Sequence, residues 1–342
     1  MMSTKVSQWQ RIALLAAALS ASVVSTAWGG VPGLYQMHLD ASIWQYTGEP
    51  CAGSSCLGWV ELDNNPITAF IAAGGGKLYQ VHTDGTIWSY TGPPCSGSSC
   101  PGWVQLDDNP ITQSIGVGGA VLYQTHSDGS LWLYTNTPCN GNSCPGWLRL
   151  DQKPITVIFG AGGGFLYERH LDGTFWQYTG PPCYGNSCPG WLKLDDNPST
   201  LAIFAAGAHG VYQQHRTGSI WQYTGTPCTG NSCPGWVELD NNPETSEIFA
   251  GGDLYEQHLD HSIWQYTGTP CNGNSCPGWM MLDDNPSTLA VVPGANTVYQ
   301  QHTDGSIWQY TGTPCNSNGC GGWRMLDDNP ATQFTVADGM IF

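Results

Sequence analysis

From about residue 33 onward, hydrophobic and polar positions follow one short pattern that keeps returning. Residues 69–110 show it. Ala69 to Ala73 is an apolar run stopped by Gly74-Gly75-Gly76, which predicts a short buried strand ending in a turn. Leu78 to Thr83 predicts a second strand. Asp84-Gly85 then reads as a two-residue hairpin signal of the kind that needs positive φ. Thr86 to Thr91, centred on Ile87 and Trp88, predicts a third strand. Gly92 to Pro101 is a polar loop holding two Cys, and Trp103 to Leu106 predicts a fourth strand. Asp107-Asp108-Asn109-Pro110 turns the chain toward the next unit. Trp88 and Tyr90 are two residues apart and therefore share one face of their strand.

The same unit occurs seven times. Its first Trp recurs at Trp44, Trp88, Trp132, Trp176, Trp221, Trp264 and Trp308, with gaps of 44, 44, 44, 45, 43 and 44 residues. Four strands cannot bury both their faces alone, so each unit needs neighbours. The pattern predicts an all-β protein: a seven-bladed β-propeller of four-stranded antiparallel blades. The ends predict closure. Gly33-Leu34-Tyr35 begins at the second strand of a unit, and Gln333-Phe334-Thr335-Val336 reads as a first strand. The C-terminal strand should complete the N-terminal blade and remove the free edges of an open array. Ile341 and Phe342 stand where other repeats carry Leu-Tyr, which leaves the exact splice open. Residues 28–342 are expected to form one domain.

Residues 1–27 differ. Lys5 and Arg11 precede an apolar run from Ile12 to Val24, and Ser25-Thr26-Ala27 follows. The run is too short to span a bilayer and reads as a secretory signal peptide, so the mature protein is expected in the periplasm, at the cell surface or outside the cell. No later segment resembles a membrane span.

The full chain has 9 Lys and Arg against 26 Asp and Glu, a net charge of −17. Without residues 1–27 the balance is 7 against 26, or −19. Such a surface disfavours nucleic acid and anionic lipid as partners. It suits neutral sugars, cationic partners or Ca²⁺.

Fourteen Cys form seven C-x4-C pairs: Cys51/Cys56, Cys95/Cys100, Cys139/Cys144, Cys183/Cys188, Cys228/Cys233, Cys271/Cys276 and Cys315/Cys320. Even count, regular spacing and an export signal predict disulfides. Zinc spacing is absent. Closing so short a loop stabilises by roughly 2 kcal/mol, so each bridge should clip its own loop and leave topology to packing.

The recurrent polar and aromatic residues each allow a structural and a binding role. The Gly-Trp position, as at Trp103, suits the wedge between blades. The third-strand Trp and its Tyr (Tyr90, Tyr178 and Tyr310 in the most complete repeats) could stack on the weakly apolar faces of pyranose rings. The recurrent His, as at His82, suits a bond across the hairpin. The Asp-x-Asn-Pro turn could simply hold its own backbone. Alternatively it offers a carboxylate and an amide to sugar hydroxyls, as at Asp107/Asn109, Asp195/Asn197 and Asp327/Asn329. No cofactor is expected. Ca²⁺ is the ion such turns could hold, and Lys153 should weaken it in repeat three. Catalysis usually needs unlike residues brought together once, whereas nearly every polar residue here is a sevenfold copy. No catalytic residue is assigned, and the protein is not expected to be an enzyme.

The repeated LYxxxxDGxIWxY…GW pattern, over residues 33–342, resembles the tectonin and tachylectin-type β-propeller lectins. The resemblance implies binding of surface glycans through sites at or between blades, with contacts from third-strand Trp and Tyr and the adjacent polar turns. Repetition makes such binding multivalent. The alternative is a protein-interaction or structural surface propeller without sugar affinity. Departures such as Arg216-Thr217-Gly218 in repeat five predict unequal sites, with repeats two, four and seven nearest the full pattern.

Overall fold

A computed structural model describes residues 33–153, 156–162, 165–206 and 210–338, with side chains left undescribed at 156–162, 205 and 206. The expected signal peptide, Ile341 and Phe342 lie outside these residues. The chain forms seven four-stranded antiparallel sheets. In blade two the strands are Thr68–Gly74, Lys77–His82, Ile87–Tyr90 and Trp103–Asp107, ordered from the axis outward. Innermost strands of successive blades touch one another around the ring. The C-terminal strand Thr332–Ala337 pairs with Leu34–His38, so blade one takes its innermost strand from the far end of the chain. This is the closure expected from the termini. Blades two to seven are continuous in sequence.

Side-chain alternation sets the packing. The residue before the third-strand Trp (Ile43, Ile87, Leu131, Phe175, Ile220, Ile263 or Ile307) is fully buried. In blade two, Ile87 joins Tyr79, Val81 and Leu106 against blade three. Tyr90 and Trp103 point the other way, into the core shared with blade one. A blade is thus apolar on both wide faces and is stable only between two others.

One contact repeats at every seam. The Gly-Trp indole donates from Nε1 to a Leu carbonyl of the preceding blade, at 2.9–3.1 Å, as in Trp103 to Leu62 and Trp147 to Leu106. Trp59 closes the ring on Leu326. Each indole also packs on its own blade's third-strand Tyr, with ring centroids 5.1–5.3 Å apart. The preceding Gly is required: a Cβ on Gly102 would lie 2.6 Å from the Tyr90 ring and 2.5 Å from the Pro93 carbonyl.

All seven predicted disulfides form: Cys51–Cys56, Cys95–Cys100, Cys139–Cys144, Cys183–Cys188, Cys228–Cys233, Cys271–Cys276 and Cys315–Cys320. Each bridge clips its own loop, as expected, and the loop also touches its neighbour. The first Cys of each pair donates its N–H to the outermost strand of the preceding blade. Cys95 reaches Glu61 O at 3.0 Å, Cys139 reaches Gln105 O at 3.1 Å, and Cys183 and Cys271 reach Arg149 O and Glu238 O at 3.1 and 2.9 Å. Each disulfide loop thus meets the outermost strand of the preceding blade through the N–H of its first Cys. The hairpin differs from the two-residue turn expected at Asp84-Gly85. Val81 pairs with Ile87 and the His82 N–H donates to Thr86 O, so residues 83–85 form a three-residue loop in which only Gly85 has positive φ. Ala41 and His261 adopt that strained conformation in blades one and six.

A buried polar relay crosses the seams. In blade two Thr68 Oγ1 donates to Gln80 Oε1 at 2.7 Å. At the next seam Gln124 Nε2 donates to Asp107 Oδ2 of the preceding blade at 2.9 Å. Gln36, Gln80, Gln213 and Gln300 bond the corresponding Asp in the same way. Two blades break the rule. Glu168 replaces the Gln beside Asp151, and Glu256 replaces it beside Asp240. Each pairs through Oε1 with a His Nε2, at 2.8 Å to His170 and 3.0 Å to His258. Burial pushes both Glu carboxyls up, and the facing Asp adds to the shift; in the Glu168 seam Lys153 opposes it. His258 is also shifted up: burial lowers it, but the Glu256 carboxylate outweighs this.

These seams can be tested by stability and by pH. Trp59→Phe removes the closing indole bond and leaves the Leu326 carbonyl short of a donor. It should cost about 1–3 kcal/mol in denaturant unfolding, and unchanged stability would contradict the account. A carboxyl with a raised folded pKa, like a His with a raised one, makes the folded state bind more protons than the unfolded state. Stability is then lost as pH rises through the window above the ordinary Glu value. Glu168→Gln with Glu256→Gln restores the common relay. Its melting temperature should gain on the parent as pH rises from about 5 to about 8, and a pH-independent difference would refute the assignment.

Candidate functional site

The third-strand Trp residues, expected as sugar platforms, sit half-buried at Trp44, Trp88, Trp132, Trp176, Trp221, Trp264 and Trp308. Each is fixed by the hairpin before it. Trp88 Nε1 donates to Thr86 Oγ1 at 3.0 Å, and that hydroxyl donates to Asp84 Oδ1 at 2.8 Å. His82 Nδ1 lies 3.1 Å from the same hydroxyl, and its ring covers Trp88 at a centroid distance of 5.7 Å. This is the hairpin role expected for the His. Burial lowers the His82 pKa, so the imidazole stays neutral at neutral pH. The indole N–H is thus committed, and one ring face is covered.

The Asp-x-Asn-Pro turns meet these Trp residues across the seam, not within one blade. Asn329 Nδ2 lies 3.5 Å from His38 Nε2 of blade one, and Asn242 Nδ2 lies 3.3 Å from His258 Nε2 of blade six. Lys153 of blade three sits 5.0 Å above the Trp176 ring of blade four. Asp107, Asp195 and Asp327 are buried and face the Gln of the next blade. Asn109, Asn197 and Asn329 accept the N–H two residues on through Oδ1. The carboxylates therefore serve the seam and the amide oxygens the turn, while the amide N–H groups of Asn242 and Asn329 face a His of the next blade.

The seven disulfide loops are not equal in their surroundings, although their sequences repeat. Cys56, Cys144, Cys233 and Cys320 each lie beside two carboxylates of the preceding turn, as Cys144 does beside Asp107 and Asp108. Cys100, Cys188 and Cys276 meet no such pair among the described residues. The preceding turns there read Asp63-Asn64, Asp151-Gln152 and Asp240-Asn241, with an amide in place of the second acid. None of these sulfurs offers a thiolate, because each is bonded to its partner Cys. Asp151, Glu168 and His170 also converge, fully buried, with the His170–Glu168 bond between them.

Open clefts lie on the face that carries the inner turns. One, of about 570 Å³, lies between blades five and six. Another, of about 490 Å³, lies between blades six and seven. They are built alike. The earlier blade supplies a Tyr of its second strand and a Gln of its third: Tyr212 and Gln222, or Tyr255 and Gln265. The later blade supplies its third-strand Tyr and a Thr-Gly step: Tyr266 with Thr267-Gly268, or Tyr310 with Thr311-Gly312. Tyr310 belongs to the expected set, and Tyr90 and Tyr178 hold the same place in blades two and four. Burial raises the Tyr212 pKa to about 12, and burial with the Asp253 carboxylate raises that of Tyr255 further. Both stay protonated, as hydroxyl donors.

Sequence reasoning passed over the Gln of the third strand. Its signal is the recurrent IWQY or FWQY, present in blades one, four, five, six and seven, with Ser89 and Leu133 in blades two and three. It reads as an ordinary polar strand position until the seam places it between two Tyr rings.

The chain matches no protein-family model, and no curated protein matches it. Solved structures share its fold. One is Prp20p from Saccharomyces cerevisiae, at 9% identity, 90% coverage of each chain and a TM-score of 0.56; that protein is described by its binding to Gsp1p and histones. Human WBSCR16 matches at 12% identity, over 90% of this chain and 97% of its own, with a TM-score of 0.53. A complex of Kap60 with yeast RCC1 matches at 8% identity, over 79% and 78%, with a TM-score of 0.51. At such identities the likeness is one of fold: a seven-bladed β-propeller.

Proposed function

We propose that the protein is a secreted, multivalent carbohydrate-binding propeller related to the tectonin-type lectins, taking sugars in the clefts between blades. The observation that carries this reading is the recurrence of one cleft, with two Tyr, one Gln and a Thr-Gly step, at two equivalent seams. Aromatic edges and amides suit the alternating C–H faces and hydroxyls of a pyranose. Asp253 and Arg324 are the charged residues among those lining the two clefts, and the other lining residues are uncharged, which suits a ligand of low charge. Weak sites repeated on one rigid body gain by avidity, by about 10² to 10⁴ when several engage one surface.

Seven disulfides fit an oxidising, extracytoplasmic compartment. Among the described residues no helix is long and apolar enough to cross a membrane. The third-strand Trp residues, half-buried on the opposite side of the seam, are a second contact surface of the same kind, with the turn amides beside them. A protein-binding role is the second reading, suggested by the partners of structurally similar propellers. Exposed Leu39, Leu171 and Leu259, at the equivalent hairpin position, belong to separate blades.

Screening against a glycan array and whole microbial cells tests the proposal. Binding is expected, and Gln222→Ala with Gln265→Ala should weaken it by about tenfold, the scale of one or two lost hydrogen bonds. Absence of any hit on both, with the parent folded, would overturn it.

A further inference from the structure

The two clefts are not isolated. Asp253, at the inner turn of blade six, lines both. The cleft between blades six and seven also passes over the edge of blade seven. Gln309 and Tyr310 are consecutive in one strand and point to opposite faces of the blade, yet both line that one cleft. Arg324 lines it too, and Asn296 and Thr297 line both this cleft and a smaller cavity of about 230 Å³ bounded by Gly33, Ala337 and Asp338 of blade one. The open surface therefore runs from the seam of blades five and six, past Asp253, across blade seven, to the seam with blade one.

Two residues on this arc depart from the repeat. At the position of Asp253 other units carry Gly33, Lys77, Val121, Phe165, Gly210 or Thr297. At the position of Arg324 they carry Val60, Val104, Leu148, Leu192, Val237 or Met280. Neither departure serves the ring. Asp253 Oδ2 accepts from Gln265 Nε2 at 3.0 Å, which holds the carboxylate at the cleft wall. Arg324 is exposed and donates to Gln309 Oε1. Among the described residues it forms no ion pair with a carboxylate. Carboxylate acceptors and guanidinium donors both bind sugar hydroxyls through charge-assisted hydrogen bonds.

We infer that this arc is a continuous groove for one extended, neutral glycan chain, with Asp253 and Arg324 contacting different units along it. The inference rests on the carbohydrate reading of the clefts and adds that their natural ligand is an oligosaccharide rather than a single terminal sugar. Neutrality follows from charge: one acid and one base offset each other in the groove, and the net charge of −17 repels a polyanion.

The test is calorimetry with neutral β-1,4-linked oligosaccharides of one to six units, in glucose, mannose and N-acetylglucosamine series. In at least one series, affinity should rise by about tenfold or more from the monosaccharide to the hexamer, as successive clefts engage. Arg324→Val places there the residue of repeats one, two and five, and should fold as the parent does. It should remove most of that gain and bring hexamer affinity close to that of the monosaccharide. Length-independent affinity, or a hexamer unaffected by Arg324→Val, would overturn the groove and leave separate sugar pockets standing. No binding at any length, or binding of extended neutral peptides instead, would overturn the groove and the carbohydrate reading together.

Discussion

The structure depends on the need of each blade to bury both wide faces against neighbours. The Gly-Trp pair meets that need at one point per seam. Its indole fills the wedge, stacks on the Tyr of its own blade, and satisfies a backbone carbonyl of the preceding one. A Leu at that position would fill space without fixing distance. A donor of fixed reach sets how closely two sheets approach, and seven equal settings let the ring close on Leu326. The buried Thr–Gln–Asp relay works at the same seams, on the residue next to the one that accepts the indole, as with Leu62 and Asp63. Replacing Gln by Glu there keeps the shape but makes the seam depend on protons.

Much of this was legible in the sequence, because repetition supplies its own controls. Strand positions, blade count, the closing strand, seven disulfides and the wedge role of Trp103 all follow from spacing and alternation. What was hidden lies between units. No reading of one repeat shows that Asp107 faces Gln124, that Cys139 bonds Gln105, or that Asn329 meets His38, because each contact joins residues of different blades. For the same reason Cys100, Cys188 and Cys276 look identical to the other second Cys until the neighbouring turn is seen beside them. The hairpin at residues 82–86 was misjudged for a local reason. The His82 N–H donates to Thr86 O and the Gly85 N–H to His82 O, so three residues close the loop where the Asp-Gly pair alone suggests two.

The same distinction governs the candidate site. The conspicuous polar residues, Asp and Asn of the turns, are largely engaged by the frame. The cleft is lined instead by inconspicuous residues, Gln222 and Gln265 in particular, that become a site only when a neighbour's Tyr and Thr-Gly step close over them. Departures from the repeat are therefore more informative than the repeat itself. Ser89 and Leu133 change the cleft in blades two and three, whereas Asp253 and Arg324 add polar groups in blades six and seven. Sevenfold architecture thus supports fewer than seven equivalent sites.

Native mass spectrometry of the intact protein, titrated with short neutral saccharides, measures that claim directly by counting ligands per ring. The account predicts saturation at more than one and fewer than seven bound saccharides, with occupancy falling when Gln222 and Gln265 are both changed to Ala. Saturation at seven identical sites, or no specific binding at all, would contradict it.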